Sequence, residues 1–189
     1  MMMGIRNAFN PFKGLNKINF ETVQKAGDDG AYDYVYELPK GVFDLILCSS
    51  AGNGGTAFLQ VWYFGTGGSG AAWEGKFKNP KKQQIKIHIG KGAGQEAYFE
   101  LGSVRMITLT GGANGSATST VAGGEVTVNS KLEVIETRIS GSKSSILGNG
   151  YVGNVSINSP CTIRPWGDCI AAGTGHTQHN GGFKLSYVG

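Results

Sequence analysis

Apolar and polar residues alternate with a period of two along much of the chain. Ile85-Lys86-Ile87-His88-Ile89 is the cleanest case, and Phe43–Cys48, Val104–Thr110, Glu125–Val128 and Phe183–Val188 are strand-length stretches of the same kind. Alternation of this sort places one set of side chains on a buried sheet face and the other in solvent. Tyr32–Leu38, Phe58–Phe64, Leu132–Ile139, Val155–Ile157 and Cys161–Ile163 are similarly short and rich in β-branched or aromatic residues. Almost nothing carries the period of an amphipathic helix. Between the strands stand Gly52-Asn-Gly-Gly55, Gly65-Thr-Gly-Gly-Ser-Gly70, Gly90-Lys-Gly-Ala-Gly94, Gly111-Gly-Ala-Asn-Gly-Ser116 and Gly148-Asn-Gly150. Glycine supplies the backbone conformations of tight turns, so these clusters read as loops.

The pattern predicts an all-β chain: a glycine-rich β-sandwich or jelly-roll-like body with a short N-terminal arm. Its core is expected to contain Phe43, Leu45, Leu47, Ile85, Ile87, Ile89, Ile107, Leu109, Val126 and Val128, with Lys86 and His88 on the solvent face. Residues 1–25 break the pattern, since their apolar side chains have no clean period and Pro11 interrupts any helix. Ile5, Phe9, Phe12 and Leu15 make this segment a candidate attachment arm that docks on a partner, the plainer reading being a strand packed on its own domain. Ile107 to Val128 and Cys169 to Val188 share one order: strand, glycine-rich loop, Gly-Gly, alternating strand. The echo suggests lobes at 26–128 and 129–189, the second smaller and sharing the first's core.

Composition sharpens this picture. Of 189 residues 32 are glycine, against about 7% in an ordinary protein, and charged residues make up 16% against about 25%. No Gly-X-Y repeat runs through the chain, which excludes collagen, and 40% hydrophobic content is enough to drive folding. No apolar run approaches the length of a membrane-spanning helix, and the N-terminus lacks the features of a secretory leader, so folding in a cytoplasm is expected. Three cysteines without Cys-x-x-Cys spacing, Cys48, Cys161 and Cys169, read as buried thiols. The net charge of +4 is concentrated in Lys76, Lys78, Lys81, Lys82, Lys86 and Lys91. Such a run can attract nucleic acid or an anionic polysaccharide, but its alternation with apolar residues favours a solvated strand face.

Most motifs that would carry chemistry fail on context. Gly65 to Gly70 matches the dinucleotide fingerprint, yet Gly75 and Pro80 follow too closely for the helix whose N-terminus would bind pyrophosphate. Gly70 to Phe77 misses a phosphate-binding loop because Phe77 has no hydroxyl for a metal ion. His176 and His179, near Asp168 and Cys169, have poor spacing for a strand-borne metal site and read as exposed loop residues. No nucleophile with an adjacent base and no paired carboxylates are marked, so neither enzyme activity nor a cofactor is expected. The aromatic residues Trp62, Tyr63, Trp73 and Trp166 are candidates for contact with sugars or a partner surface, the alternative being that most of the tryptophans are core.

Several of these stretches carry a resemblance. Leu38-Pro-Lys-Gly-Val-Phe-Asp-Leu-Ile-Leu47, Ala51-Gly-Asn-Gly-Gly55, Gly67-Gly-Ser-Gly-Ala-Ala72, Ile85-Lys-Ile-His-Ile-Gly-Lys-Gly-Ala-Gly94, Thr110-Gly-Gly-Ala-Asn-Gly115 and a closing Gly-Gly with its strand are similar to the glycine-rich domain of bacteriophage tail fibre and minor tail proteins. The similarity covers about 38–128. Glycine runs here stop at two and Phe58–Phe64 is bulky, so long polyglycine stacks are not expected. The resemblance implies a virion structural protein, folded in the host cytoplasm, whose exposed glycine loops at 65–73 and 111–120 touch a bacterial surface receptor, such as a glycan. It implies a homo-oligomer, a trimer being common among fibres, joined to other virion proteins through the arm, with no nucleic acid and no membrane insertion. Alternatives are a capsid head fibre or decoration protein, and a carbohydrate-active β protein with carboxylates meeting near Trp73.

Overall fold

The computed structural model describes residues 32–59, 61–90, 92–116, 118–145, 147–149, 156–157, 169–170 and 181–189. Among them there are strands and turns and no helix. The strands are β1 (Tyr32–Leu38), β2 (Gly41–Cys48), β3 (Gly55–Leu59), β4 (Val61–Gly65), β5 (Ala72–Asn79), β6 (Gln83–Ile89), β7 (Ala97–Leu101), β8 (Val104–Leu109), β9 (Val126–Val128), β10 (Glu133–Gly141), β11 (Leu147–Asn149), β12 (Ser156–Ile157), β13 (Cys169–Ile170) and β14 (Gly182–Tyr187). One sheet has the order β1-β6-β7-β8-β9 and a second β10-β5-β2-β14, with small pairings β11-β4-β3 and β12-β13. Every pairing is antiparallel.

The two large sheets form the all-β sandwich that the alternation implies. Phe77 of β5 meets Phe99 of β7 with ring centroids 4.9 Å apart, and Tyr34 of β1 meets Phe183 of β14 edge-on at 5.2 Å. Around these contacts Leu38, Phe43, Leu45, Leu47, Ile85, Ile87, Ile107 and Leu185 are buried. The expected core is present except at its margin: Val126 is half-buried, and Val128, on the short edge strand β9, is 38% exposed. At the β7–β8 hairpin Gly102 and Ser103 both have positive φ, at 57° and 65°. Two such residues between paired Leu101 and Val104 are what a two-residue turn matching the strand twist requires.

Several expectations change. Phe58–Phe64 is two strands, with the chain reversing between Leu59 and Val61 so that Phe58 pairs with Trp62. Residues 72–79, where Gly75 and the following Pro80 mask the pattern, form a central strand between β2 and β10. β10 and β14, both from residues past 128, are the two edges of the sheet centred on β5 and β2. Cys48 is fully buried and disulfide-bonded rather than a free thiol. It stands on the outer face of its sheet with Ile46, Ala72 and Ile139.

Candidate functional site

The strand registers align one end of the sandwich. Cys48 pairs with Ala72 and Gly182, Ala72 with Gly141, Ile89 with Ala97, Ala97 with Leu109, and Leu109 with Val126. The glycine-rich segments 49–54, 66–71, 90–96, 110–116 and 121–125, together with 142–145, leave from this end. They are bonded to one another rather than splayed as loops.

Their hydrogen bonds repeat every third residue. Ser49 and Gly52 donate to Ala71 and Gly68, at 2.9 and 3.0 Å. Gly112 and Gly115 donate to Ser50 and Asn53, and Thr110 and Ala113 donate to Glu125 and Ala122. Intervening residues bond elsewhere: Gly68 donates to Ala113, Ser69 to Lys143, and Gly124 to Ser69. A strand points its backbone groups at two neighbours, whereas segment 66–71 bonds to four, namely 49–54, 110–116, 121–125 and 142–145. Three residues per turn with donors fanned around the axis is the geometry of an extended helix of the polyproline II type. With side chains no larger than a methyl or hydroxymethyl on most residues, such helices can lie side by side and satisfy each other's backbone groups.

The bundle needs glycine where backbones touch. A methyl group on Gly68 would overlap the Ala122 carbonyl oxygen, and one on Gly112 the Gly68 carbonyl oxygen. Gly65 to Ala72 are buried without a break, as are Ser49 to Gly52. Buried serines clip the segments together. Ser49 Oγ accepts from Ala71 N at 2.8 Å and donates to Thr110 O at 2.6 Å. Ser50 Oγ accepts from Gly181 N and donates to Gly90 O, while Ser69 Oγ accepts from Lys143 N. Among the described residues every buried side-chain polar atom has a partner.

Thus the glycine segments at 65–73 are not exposed receptor loops. Short glycine runs do not prevent stacking, because the packing needs small residues only where backbones meet. The spacing Gly52-x-x-Gly55, Gly67-x-x-Gly70 and Gly112-x-x-Gly115 is the sequence signal of this arrangement. What the bundle carries at its far end is the β3–β4 hairpin, closed by the Gly55–Gly65 pair and joined by β11, and the exposed turn around 113–120. Asn114 Oδ1 accepts from Asn53 N at 3.0 Å, tying the turn to the entry of the hairpin. Ser116 Oγ accepts from Thr118 N at 3.2 Å and orders the turn internally. The sequence pattern singled out neither the hairpin nor Asn114.

The four aromatic candidates separate. Trp62 and Tyr63 lie on β4 in the far-end hairpin, Trp62 opposite Phe58 and Tyr63 opposite Ala57 and Asn149. Trp73 is 1% exposed and belongs to the sandwich core, so its ring offers no face to a partner in this chain. Glu74 points to the opposite side of the sheet, where Arg138 Nε donates to it at 2.8 Å and Arg138 Nη2 to Asp44 at 2.5 Å. Among the described residues the carboxylate next to Trp73 in sequence is thus engaged by Arg138 on the other face of the sheet. Trp166, the arm residues Ile5, Phe9, Phe12 and Leu15, and His176 and His179 lie outside the described residues. Among the described residues no group of His, Cys, Asp and Glu is arranged to hold a metal ion.

The outer sheet faces are ionic. Four of the six clustered lysines meet carboxylates on neighbouring strands: Lys76 with Glu136 at 2.6 Å, Lys78 with Glu133 at 2.8 Å, Lys82 with Glu37, and Lys86 with Asp33 at 3.2 Å. His88 stacks on Tyr98 and its Nδ1 lies 2.7 Å from Asp33, while the Arg105 guanidinium covers Tyr98 at 3.7 Å. The hydrogen bond with His88, aided by Lys86, holds the Asp33 carboxyl below its ordinary value against a smaller effect of burial. The basic run is thus largely neutralised within its own sheets, as the solvated-face reading expects. No protein-family model matches the chain, and no curated protein matches it in sequence.

Proposed function

We propose that this chain is a non-enzymatic bacteriophage virion component, a tail fibre or tail-tip protein that meets the host surface with the far end of its glycine bundle. The observation that carries the reading is the bundle itself. Six segments leaving one end of a sandwich bury their backbones against one another and hold a hairpin and a turn away from the base. Such a scaffold lets the terminal turns vary without disturbing the core. The disulfide at Cys48 is consistent with a protein that works outside a reducing cytoplasm, as a released particle does. The contact surface moves, relative to the sequence reading, from 65–73 to the β3–β4 hairpin, while the turn at 113–120 remains. Weak contacts by each copy would be multiplied in a homotrimer and across the fibres of a particle.

Antibody labelling of purified particles, viewed by electron microscopy, tests the assignment. Label at the distal tail is expected. Label over the head would replace it with a capsid fibre or decoration protein, and absence from particles would remove the virion reading.

A further inference from the structure

Where 49–54 meets 110–116 the bundle brings together two Asn-Gly pairs, Asn53-Gly54 and Asn114-Gly115. An asparagine before glycine can lose its side-chain amide without an enzyme. The backbone nitrogen of the glycine attacks the side-chain carbonyl carbon, the carbon–nitrogen bond of the amide breaks, and ammonia leaves with the proton that the backbone nitrogen gives up. Water then opens the cyclic imide at either carbonyl and leaves aspartate or isoaspartate. Glycine favours the attack because no Cβ blocks the close approach. The flanking residues are alike, Gly-Asn-Gly-Gly and Ala-Asn-Gly-Ser, so sequence alone does not rank the two sites. Exposure would place Asn114 first, since it is exposed and Asn53 is half-buried. Two further pairs, at 149–150 and 180–181, include residues outside those described.

Hydrogen bonding reverses that order. At Asn114 both reacting groups are engaged: its Oδ1 accepts from Asn53 N at 3.0 Å, and the attacking nitrogen, Gly115 N, donates to Asn53 O at 2.6 Å. To react, that nitrogen must give up its proton and turn toward the side chain, and both moves break the contact between the segments. At Asn53 the same two bonds hold the backbone but not the groups that react. Among the described residues neither the Asn53 side chain nor Gly54 N takes part in a hydrogen bond. We propose that Asn53 is a site of spontaneous deamidation in the folded chain, and that Asn114 is shielded from the same reaction by its bonds to Asn53. Aspartate at 53 leaves the main chain unchanged. Isoaspartate routes it through Cβ and turns the carbonyl that accepts from Gly115 N into a free carboxylate, so conversion loosens the entry to the β3–β4 hairpin. This holds whatever surface the far end meets.

The test incubates the folded full chain in mildly alkaline buffer and follows, by mass spectrometry of proteolytic peptides, the amide-to-acid mass gain at each pair, with the same chain in urea as the reference. In urea the two sites should convert within about twofold of each other, and in the folded chain Asn53 should run about tenfold or more ahead, the margin that two hydrogen bonds supply. An Asn53→Ala variant, which keeps the backbone bonds, should lose the fast conversion and leave Asn114 slow. Equal rates in the folded chain, Asn114 ahead of Asn53, no conversion at Asn53, or the same margin in urea as in the folded chain would overturn the proposal. Chains carrying isoaspartate at 53 should melt below an Asn53→Asp variant, whose main chain is intact, and equal melting would overturn the loosening.

Discussion

The sandwich and the glycine bundle are buried to similar degrees by opposite means. In the sandwich, Phe43, Phe77, Phe99 and Phe183 and their aliphatic neighbours exclude water with large side chains, and the backbone is satisfied along ordinary ladders. In the bundle, segment 66–71 reaches the same burial with Thr, Ser, Gly and Ala, and what it buries is mostly backbone. Burial of apolar side chains is graded, each methylene contributing about 0.8 kcal/mol. Burial of peptide groups is closer to all-or-none, because a buried donor left without its acceptor costs about 1–3 kcal/mol and the losses fall on several segments at once. The sandwich is therefore expected to tolerate substitution by degrees, and the bundle hardly at all in its interior.

The sharpest way to break this comparison is Gly112→Ala. The added methyl collides with the Gly68 backbone, which is itself fixed by bonds to Ala113 and Gly52. A loss of about 4 kcal/mol or more, or no folded protein, is expected in urea denaturation, and a loss below about 1 kcal/mol would mean that the segments are not in close contact. Phe99→Ala removes the ring that meets Phe77 across the sandwich and is expected to cost about 3–4 kcal/mol, with a folded protein remaining. Cys48→Ala should cost about 2–4 kcal/mol, and reductant should lower the melting temperature of the wild type but not of this variant. Ser50→Ala deletes one hydroxyl that joins 49–54 to Gly90 and Gly181. It should cost about 2 kcal/mol, more than a serine on the exposed turn such as Ser119.

The two regions also differ in how much of them the sequence reveals. Ile85 to Ile89 and Phe43 to Leu47 announce themselves because sandwich burial is written in side chains with a period of two. The bundle is written in backbone, and glycine signals equally a turn, a bulge or a close approach, so Gly65 to Gly70 reads as a loop until its neighbours are in place. The strand at 72–79 is hidden for a related reason. Gly75 is present because the Glu136 carbonyl and the Trp73 ring crowd its position, not because the chain turns there. Trp73 and Trp62 are indistinguishable as residue types in glycine-rich surroundings, and only the register sends one inward on β5 and the other to the far-end hairpin. Asn114 could be found only by asking what Asn53 bonds to across 61 residues of sequence.

The smallest effect tests whether acid acts on one region and spares the other. Asp33 is held below its ordinary pKa chiefly by the hydrogen bond with His88, and Glu136 chiefly by the one from Lys76. A carboxylate whose pKa is depressed by folding stabilises the folded state above its unfolded pKa of about 4, and that contribution is lost as the pH falls through the lower folded value. Both groups sit on outer faces of the sandwich, and β3, β4 and β11 at the bundle's far end carry no carboxylate. Wild type is accordingly expected to exceed Asp33→Asn and Glu136→Gln in stability by a constant small margin above about pH 5, with the margin closing below about pH 4. Because both carboxylates are substantially exposed, salt should narrow the same margin at neutral pH. Amide exchange followed along this acid limb should show protection lost first in β1 and β10, whose side chains carry the ion pairs, while Gly68 and Gly112 remain protected until global unfolding. Earlier exchange at those two glycines would reverse the ranking and make the bundle the weaker of the two bodies.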